Sequence, residues 1–296
     1  MYNSRFSSSF ISGIRLSGFI LMLFFSFLVL SLEGCGSISE DSPKKDTSDT
    51  VSSLKVVDET IDVEGLKKEH KLYFLADSHI SLCDERDKDL IQKARERSIM
   101  FKTNDKEACE YFDMLIDDAN KWDSDLIIMG GDIIDSAMYA SIDHVEAKVK
   151  ELNSPFIYYM GNHDFEYKDE YFSKKAYEEY LPRLEKLRGK SSFQVREYED
   201  IIILAFDDAD CQISEEMLEA YKNMAKKDKP MIIALHVPIN PVNGDDSLIK
   251  KCEEIYGEGI TESSRLIIGS KAVPPSDSTE EFLNLIFRED SPVILV

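Results

Sequence analysis

The stretch Leu126-Ile-Ile-Met-Gly-Gly-Asp-Ile-Ile-Asp135 decides the fold of this chain. Its first half is a short apolar run whose length and β-branched content are typical of a buried parallel strand. Gly130 and Gly131 follow, and they allow a sharp turn and a close approach of other groups. Asp132 is therefore predicted at the carboxyl end of a strand, where open α/β sheets bind their ligands.

Three further apolar runs also end in polar side chains, and they cover residues 71–76, 156–160 and 231–235. The side chains at these three ends include Asp77, His79, Asn162, His163, Asp164 and His236. Aspartate, asparagine and histidine are hard or borderline ligands for a divalent metal ion. Because Asp77 and His79 are two positions apart, the sequence predicts that both point to one face of the strand end.

Helical patterns alternate with these apolar runs. Helices are predicted at about 84–100, 105–122, 145–152 and 214–227, with a helical region at 165–190 that Pro182 interrupts. Further strands are predicted at 193–195, 201–206 and 292–296. The alternation of strand and helix predicts right-handed crossovers and a mainly parallel sheet. A chain of 296 residues is long enough for one large α/β domain with a full core.

The formal net charge of -22 argues against nucleic acid as a partner, because binding there depends on Lys and Arg neutralising phosphates. A small phosphorylated substrate is compatible with this charge, since bound metal ions dominate the field inside a site. The stretch at 84–100 carries Lys93, Arg95 and Arg97. These bases are interpreted as a solvated helix face, with contact to a substrate as the alternative.

The N-terminus carries an export pattern. Arg5 and Arg15 precede about 17 mostly apolar residues at 16–32, and the segment ends at Cys35. It resembles a bacterial lipoprotein signal in which Cys35 is the lipid-attachment site. Glu33 is unusual at such an end and leaves an uncleaved membrane anchor as the alternative. Both interpretations place the protein outside the cytoplasm, attached to the cell membrane.

The chain divides into three parts on this basis. Residues 1–35 are the signal peptide or anchor, 36–70 are a polar, flexible tether, and 71–296 are the folded domain. Four cysteines lie in the domain, and small buried thiols and one disulfide both remain open for them. They are Cys83, Cys109, Cys211 and Cys252. His70 and His144 are interpreted as surface residues.

Taken in order, four motifs resemble the calcineurin-like metallophosphoesterase superfamily. They are Asp77-x-His79, Gly131-Asp132-x-x-Asp135, Gly161-Asn162-His163-Asp164 and His236. Each motif alone is weak, but their order and their positions at strand ends are specific. The resemblance covers residues 71–296 and implies an α/β fold, a two-sheet sandwich flanked by helices. It also implies two divalent ions, for which Mn, Fe and Zn are all suitable, and hydrolysis of phosphoester bonds.

The resemblance implies a role for each motif residue. Asp77 and His79 would hold one ion, and Asn162 and His236 would hold the other. Asp132 would bridge two cations about 3.5 to 4 Å apart. Metal-activated hydroxide would attack phosphorus while His163 protonates or stabilises the leaving oxygen.

Asp135 would orient the ring of His163, with a turn or helix cap as its structural alternative. The family normally ends in a Gly-His-x-His element, and no histidine follows His236, so the sequence looks cut off after the strand at 292–296. Ser136 stands where the Ser/Thr protein phosphatases carry Arg, which argues against protein dephosphorylation. Asp135 stands where purple acid phosphatases place a Tyr ligand, so their iron site is not expected. The missing histidines also suggest an alternative function, a non-catalytic, surface-anchored binding protein on the same scaffold.

Overall fold

The computed structural model describes most of the predicted domain and part of the N-terminal segment. The described residues are 13–17, 56–103, 106–164, 174–240, 250, 254, 267–269, 274–288, 291 and 293–295. Cys35, Cys252 and most of the predicted signal and tether lie outside them. Within the described residues, no helix has the length and apolar character needed to span a bilayer.

The first sheet has five strands. They are β1 (Gly13–Ser17), β2 (Asp58–Asp62), β3 (His70–Leu75), β4 (Leu126–Gly130) and β5 (Phe156–Tyr159). Their order across the sheet is β2-β1-β3-β4-β5. The three strands that end in the motifs run parallel, with Leu72 opposite Leu126 and Ile127 opposite Phe156. The predicted parallel arrangement of these strands is confirmed.

The second sheet has four strands. They are β6 (Phe193–Glu197), β7 (Ile202–Phe206), β8 (Met231–Ala234) and β9 (Val293–Leu295), in that order across the sheet. β6 and β7 form an antiparallel pair, and β7, β8 and β9 are parallel. The apolar run near the end of the sequence therefore forms the strand that its pattern predicts.

The described residues form six α-helices, and all except the first pack on the outer faces of the two sheets. They are α1 (Ile91–Phe101), α2 (Ala108–Trp122), α3 (Tyr139–Val149), α4 (Lys174–Arg188), α5 (Glu215–Ala225) and α6 (Asp277–Ile286). A 3-10 helix, Glu85–Leu90, leads into α1. The sequence predicts the start of α2 at about residue 105, but the helix begins at Ala108, because Glu107 and Glu110 form a capping box there.

The sandwich explains why the central strands are apolar on both faces. In β4, Leu126 and Ile128 pack between the sheets, whereas Ile127 and Met129 pack beneath helices. β7 repeats this alternation, since Ile203 faces the other sheet and its neighbours in the strand face α5 and α6. Both faces of these strands are buried, so the period-2 pattern of half-exposed strands is lost. The predicted two-sheet sandwich flanked by helices is confirmed.

Several local predictions differ from the structure. His70 is fully buried against Asp200, with 2.8 Å between His70 Nε2 and Asp200 Oδ1, and His144 is half-buried beside Asp113, so reading both as surface residues was wrong. α4 runs through Pro182 without a break, because Tyr180, Leu184 and Leu187 on the same helix are buried in the core.

The N-terminal part and the cysteines add three observations. Strand β1 lies within the predicted signal segment, and β2 lies within the predicted tether. Residues 13–17 pair with both β2 and β3. Cys83, Cys109 and Cys211 are free thiols, so no disulfide links the described cysteines.

Candidate metal centre

The loops after β3, β4 and β5 lie side by side because backbone hydrogen bonds join them. Asp77 N–H donates to Gly131 O at 3.1 Å, and His79 N–H donates to Asp132 O at 2.9 Å. Ser136 N–H donates to His163 O at 2.7 Å, which ties the β4 loop to the β5 loop. Three of the four predicted strand ends therefore meet at one edge of the first sheet.

His236 brings the second sheet to the same edge. It follows β8, and its Nδ1 lies 2.9 Å from the carbonyl oxygen of Gly130 at the end of β4. Since a carbonyl only accepts, His236 Nδ1 carries the proton, and Nε2 is the nitrogen turned toward the carboxylates. The ring is thereby fixed in one orientation, because metal-binding histidines are held by a hydrogen bond to the nitrogen that does not bind the metal.

The conformation of the site loops differs from the expected strand geometry. Asp77, His79 and Asp132 all have positive φ, at 54°, 49° and 51°. The left-handed conformation costs a non-glycine residue about 1–2 kcal/mol and is concentrated at functional sites. Asp77 and His79 lie in a loop beyond β3, so the two-residue period of a strand, on which the prediction rested, does not apply to them.

Asp77, Asp132 and His236 nonetheless converge, with their ligand atoms within 4.8 Å of one another. The closest approach is 3.3 Å between His236 Nε2 and Asp132 Oδ2. His79 Nε2 lies 3.8 Å from Asp77 Oδ1 and 3.9 Å from Asp132 Oδ2. Ligands that bind one ion at about 2.0–2.2 Å lie about 3 to 4 Å apart, so these four side chains fit a metal site.

Two glycines leave the space that this convergence needs. A Cβ on Gly131 would lie 2.6 Å from His236 Nδ1 and 2.7 Å from Gly161 N. A Cβ on Gly161 would collide with Asp132 Oδ1 and lie 2.7 Å from His236 Nε2. Asn162 is buried directly after Gly161, which places it in the loop that contacts both of these ligands.

His163 and Asp135 form the predicted pair. His163 Nδ1 lies 2.9 Å from Asp135 Oδ1, and Asp135 is fully buried. His79 and His163 meet edge to face, with ring centroids 4.9 Å apart. Asp135 therefore acts on a histidine ring, which favours the orienting role over the alternative of a turn or helix cap.

The sequence from residue 70 to residue 262 matches the model of the calcineurin-like phosphoesterase family. This chain belongs to that family. The match covers more than half of the chain and includes every predicted site residue except Cys35. Membership indicates metal-dependent phosphoester hydrolysis in general, and the family's sites hold two metal ions.

Solved structures and curated proteins show only weak similarity to this chain, or none. A dimetal phosphatase from Danio rerio is a structural neighbour at 12% identity, with 62% of this chain and 77% of that chain covered. Its TM-score of 0.38 is too low to support an argument. No curated protein has a significantly similar sequence.

A second group of potential ligands lies beside the first. His79, Asp135 and His163 also have their ligand atoms within 4.8 Å of one another. Asp135, however, accepts two hydrogen bonds from Arg97, with Nε at 2.6 Å from Oδ2 and Nη2 at 2.8 Å from Oδ1. An ion bound by Asp135 would compete with this guanidinium, so the group around Asp132 is the better metal site.

The position of Arg97 differs from the predicted solvated face of its helix. Lys93 and Arg95 are exposed on α1 as expected, but Arg97 turns inward, and its side chain is 16% exposed. Burial by itself raises the pKa of Asp135, but hydrogen bonds from Arg97 and His163 outweigh it and hold that pKa well below the usual range. Asp135 is therefore an ionised carboxylate.

The metal-free ligands form a network of paired charges. Burial lowers the pKa of His79, but Asp135, Asp77 and Asp132 outweigh it and raise that pKa to about 9. Burial opposes protonation of His236 too, but the charge of Asp132 raises its pKa well above the ordinary value. These protons supply positive charge among the carboxylates, and a bound metal ion would replace them.

Two buried carboxylates hold the site loops: Asp164, which the sequence placed in a motif without a role, and Asp208, which sequence reasoning missed. Asp164 accepts hydrogen bonds from the N–H groups of Asp132, Ile134 and Gly161. Asp208 accepts from the N–H groups of His236 and Val237, both at 3.0 Å. The strand-end rule that found the ligands also identifies Asp208, because it follows the apolar run of β7.

Proposed function

We propose that this phosphoesterase hydrolyses small phosphorylated substrates outside the cytoplasm and uses two divalent ions. The observation that carries the proposal is the convergence of Asp77, Asp132 and His236, with His79 within 4 Å of both carboxylates. These side chains come from three separate loops, and their ligand atoms point into one space. Asp77 and Asp132 both have positive φ. Backbone strain of this kind is expected where the binding of a ligand compensates for it.

The ligand set divides around Asp132. Its Oδ1 accepts the N–H of His163 at 2.7 Å, so Oδ2 is the oxygen that faces both His79 and His236. Asp77 and His79 would hold one ion, Asn162 and His236 the other, and Asp132 both. When bound, the two ions would lower the pKa of a water molecule and stabilise negative charge on phosphate oxygens. Their mixed carboxylate and imidazole ligands suit Mn, Fe or Zn.

His163 has a distinct role in this proposal. An ionised carboxylate only accepts hydrogen bonds, so His163 Nδ1 donates to Asp135, and Nε2 lies on the opposite side of the ring from this bond. His163 protonates or stabilises the leaving oxygen through Nε2. His163→Ala is expected to lower turnover more than bound metal, and a large loss of metal would instead make His163 a ligand.

The substrate and the location rest on sequence properties. A net charge of -22 repels polyanions such as nucleic acid, whereas a small phosphorylated molecule needs only the local field of the site. The export pattern that ends at Cys35 supports a membrane-attached protein outside the cytoplasm. Replacing Cys35 with Ser is expected to block processing or release the protein. Unchanged processing and attachment would favour an uncleaved anchor.

Metal stoichiometry and hydrolysis are the first tests of this function. The full chain is stripped with a chelator, reloaded separately with Mn, Fe or Zn, and its bound metal is measured by elemental mass spectrometry. Hydrolysis is followed with 4-nitrophenyl phosphate and bis(4-nitrophenyl) phosphate. Two bound ions and turnover support the enzyme. No bound metal and no turnover would support the non-catalytic binding protein.

Asp132→Asn tests the bridging ligand. It removes the charge while Asn still tolerates a positive φ, so the fold is expected to persist while activity falls by more than a hundredfold. Asp123→Asn is the matched control, because Asp123 is exposed and has a φ of 56°. Retained activity in Asp132→Asn would contradict the bridging assignment.

A further inference from the structure

The strongest feature that the proposed function leaves unused is the fork between Arg97 and Asp135. The guanidinium donates through Nε and Nη2 to the two oxygens of one fully buried carboxylate. Two parallel hydrogen bonds fix the plane of the carboxylate as well as neutralising its charge. A single lysine ammonium supplies the charge without this directional control.

The fork determines which histidine forms a hydrogen bond with Asp135. Arg97 Nε donates to Oδ2 at 2.6 Å and Nη2 donates to Oδ1 at 2.8 Å, and Oδ1 also faces two imidazoles. Oδ1 lies 2.9 Å from His163 Nδ1 but 3.6 Å from His79 Nδ1. Rotation of the carboxylate would change this preference, so its fixed plane directs the hydrogen bond to His163.

Arg97 is itself held in place by its own helix. Its guanidinium carbon lies 4.8 Å from the ring centroid of Phe101, one turn further along α1. The Phe101 ring stacks on His79 with centroids 4.0 Å apart and planes only 4° from parallel. Ala94 is the one buried residue of α1, and the contacts of Arg97 and Phe101 with the site also attach this helix to the domain.

We propose that Arg97 is a positioning residue for His163. It acts through the carboxylate of Asp135, and its Nη2 also lies 3.2 Å from His163 Nδ1, so the guanidinium packs directly against the ring. The proposal rests on the proposed function for its kinetic consequences, whereas its structural consequence is independent of catalysis. With Arg97 in place, Asp135 holds the proton of His163 on Nδ1 and aims Nε2 at the leaving oxygen. Without the fork, the His163 ring loses its fixed orientation while the metal ligands around Asp132 keep theirs.

Kinetics with two leaving groups test this role. Arg97→Met is expected to lower kcat about tenfold to a hundredfold, as for a misplaced general acid, with metal content unchanged. The loss is expected to be larger for phenyl phosphate than for 4-nitrophenyl phosphate, because phenolate needs the proton more. Arg97→Lys is expected to recover little, since it lacks the fork. Arg95→Met, on the exposed side of the same helix, is the matched control.

A double-mutant cycle separates positioning from direct contact with the substrate. In a His163→Ala background, Arg97→Met is expected to cause no further loss of kcat, because its target is already absent. An additional tenfold loss there, or equal losses for the two leaving groups, would overturn the proposal and make Arg97 a substrate contact.

An activity-independent measurement completes the test. In the metal-free full chain, NMR is expected to show a slowly exchanging Nδ1–H for His163, assigned by its loss in His163→Ala. Arg97→Met and Arg97→Lys are expected to accelerate its exchange, while Arg95→Met leaves it unchanged. Unchanged exchange in both Arg97 variants would overturn the positioning role. A wild-type protein that lacks turnover but shows the exchange effect would contradict the proposed function and leave the positioning role intact.

Discussion

Replacing Asp164 with Asn tests whether this carboxylate holds the loops after β4 and β5 together. Oδ2 of Asp164 accepts from Asp132 N at 2.8 Å and Gly161 N at 2.6 Å, and Oδ1 accepts from Ile134 N at 3.1 Å and Tyr158 Oη at 2.8 Å. Asn has nearly the same shape, but its NH2 group must face two of these donors in either orientation. Each buried donor left without an acceptor costs about 1–3 kcal/mol, which gives a destabilisation of about 2–6 kcal/mol.

The assay is urea unfolding of the full chain at pH 8 in the presence of a chelator, so that bound metal does not contribute. Burial, followed by the charge of Asp132, raises the pKa of Asp164 to about 7, so the carboxylate is ionised at pH 8. Tyr158→Phe removes one of the four donors and is expected to cost about 1 kcal/mol. Asp123→Asn at an exposed site is the control and is expected to change stability by less than about 0.5 kcal/mol.

The same substitution has a consequence for metal binding. Asp164 links the loop of Asp132 to the loop of Asn162, and loss of such an outer contact typically weakens metal affinity about tenfold to a hundredfold. A destabilisation below about 1 kcal/mol together with unchanged metal affinity would refute the reasoning. It would mean that backbone hydrogen bonds between the loops suffice without the carboxylate.

Three further predictions concern the ligands. Gly161→Ala is expected to reduce metal content and activity at least tenfold, because its Cβ would collide with Asp132 and crowd His236; wild-type metal content would contradict this steric argument. The raised pKa values of His79, at about 9, and of His236 mean that both are protonated at pH 7 without metal, so metal affinity is expected to increase as the pH rises toward 9. Calorimetry at pH 7 in two buffers of different ionisation enthalpy measures the protons released, and release of none would contradict these protonation states. Metal at about 1,000 times its Kd is expected to stabilise the fold by about 4 kcal/mol, and an unchanged unfolding curve after chelation would mean that metal does not bind the folded state preferentially.

The architecture could be predicted from the sequence because its signals are local. Residues 126–129 are an apolar run followed by Gly130 and Gly131, and such a run forms a buried strand wherever both of its faces are covered. The carboxyl ends of neighbouring parallel strands meet at one edge, so Asp77, Asp132 and Asn162 could be assigned to one site before their distances were known. Helix boundaries were less accurate, because a cap such as Glu107 decides where α2 starts.

The sequence by itself determined the alternation of strands and helices along the chain and the identity of the residues at the strand ends, and the sandwich of two sheets was implied by the resemblance to the family. The order of the strands across the sheets, with β1 and β2 beside β3, came only from the tertiary structure. Only the tertiary structure decided which nitrogen of His236 faces Asp132, and it showed that the site loops have positive φ. It also brought Arg97 to Asp135 across 38 positions of sequence. The physical reason is that the hydrophobic period of a strand or helix is written in neighbouring residues. The partner of a buried charge, by contrast, depends on how distant segments pack, and no local pattern encodes it.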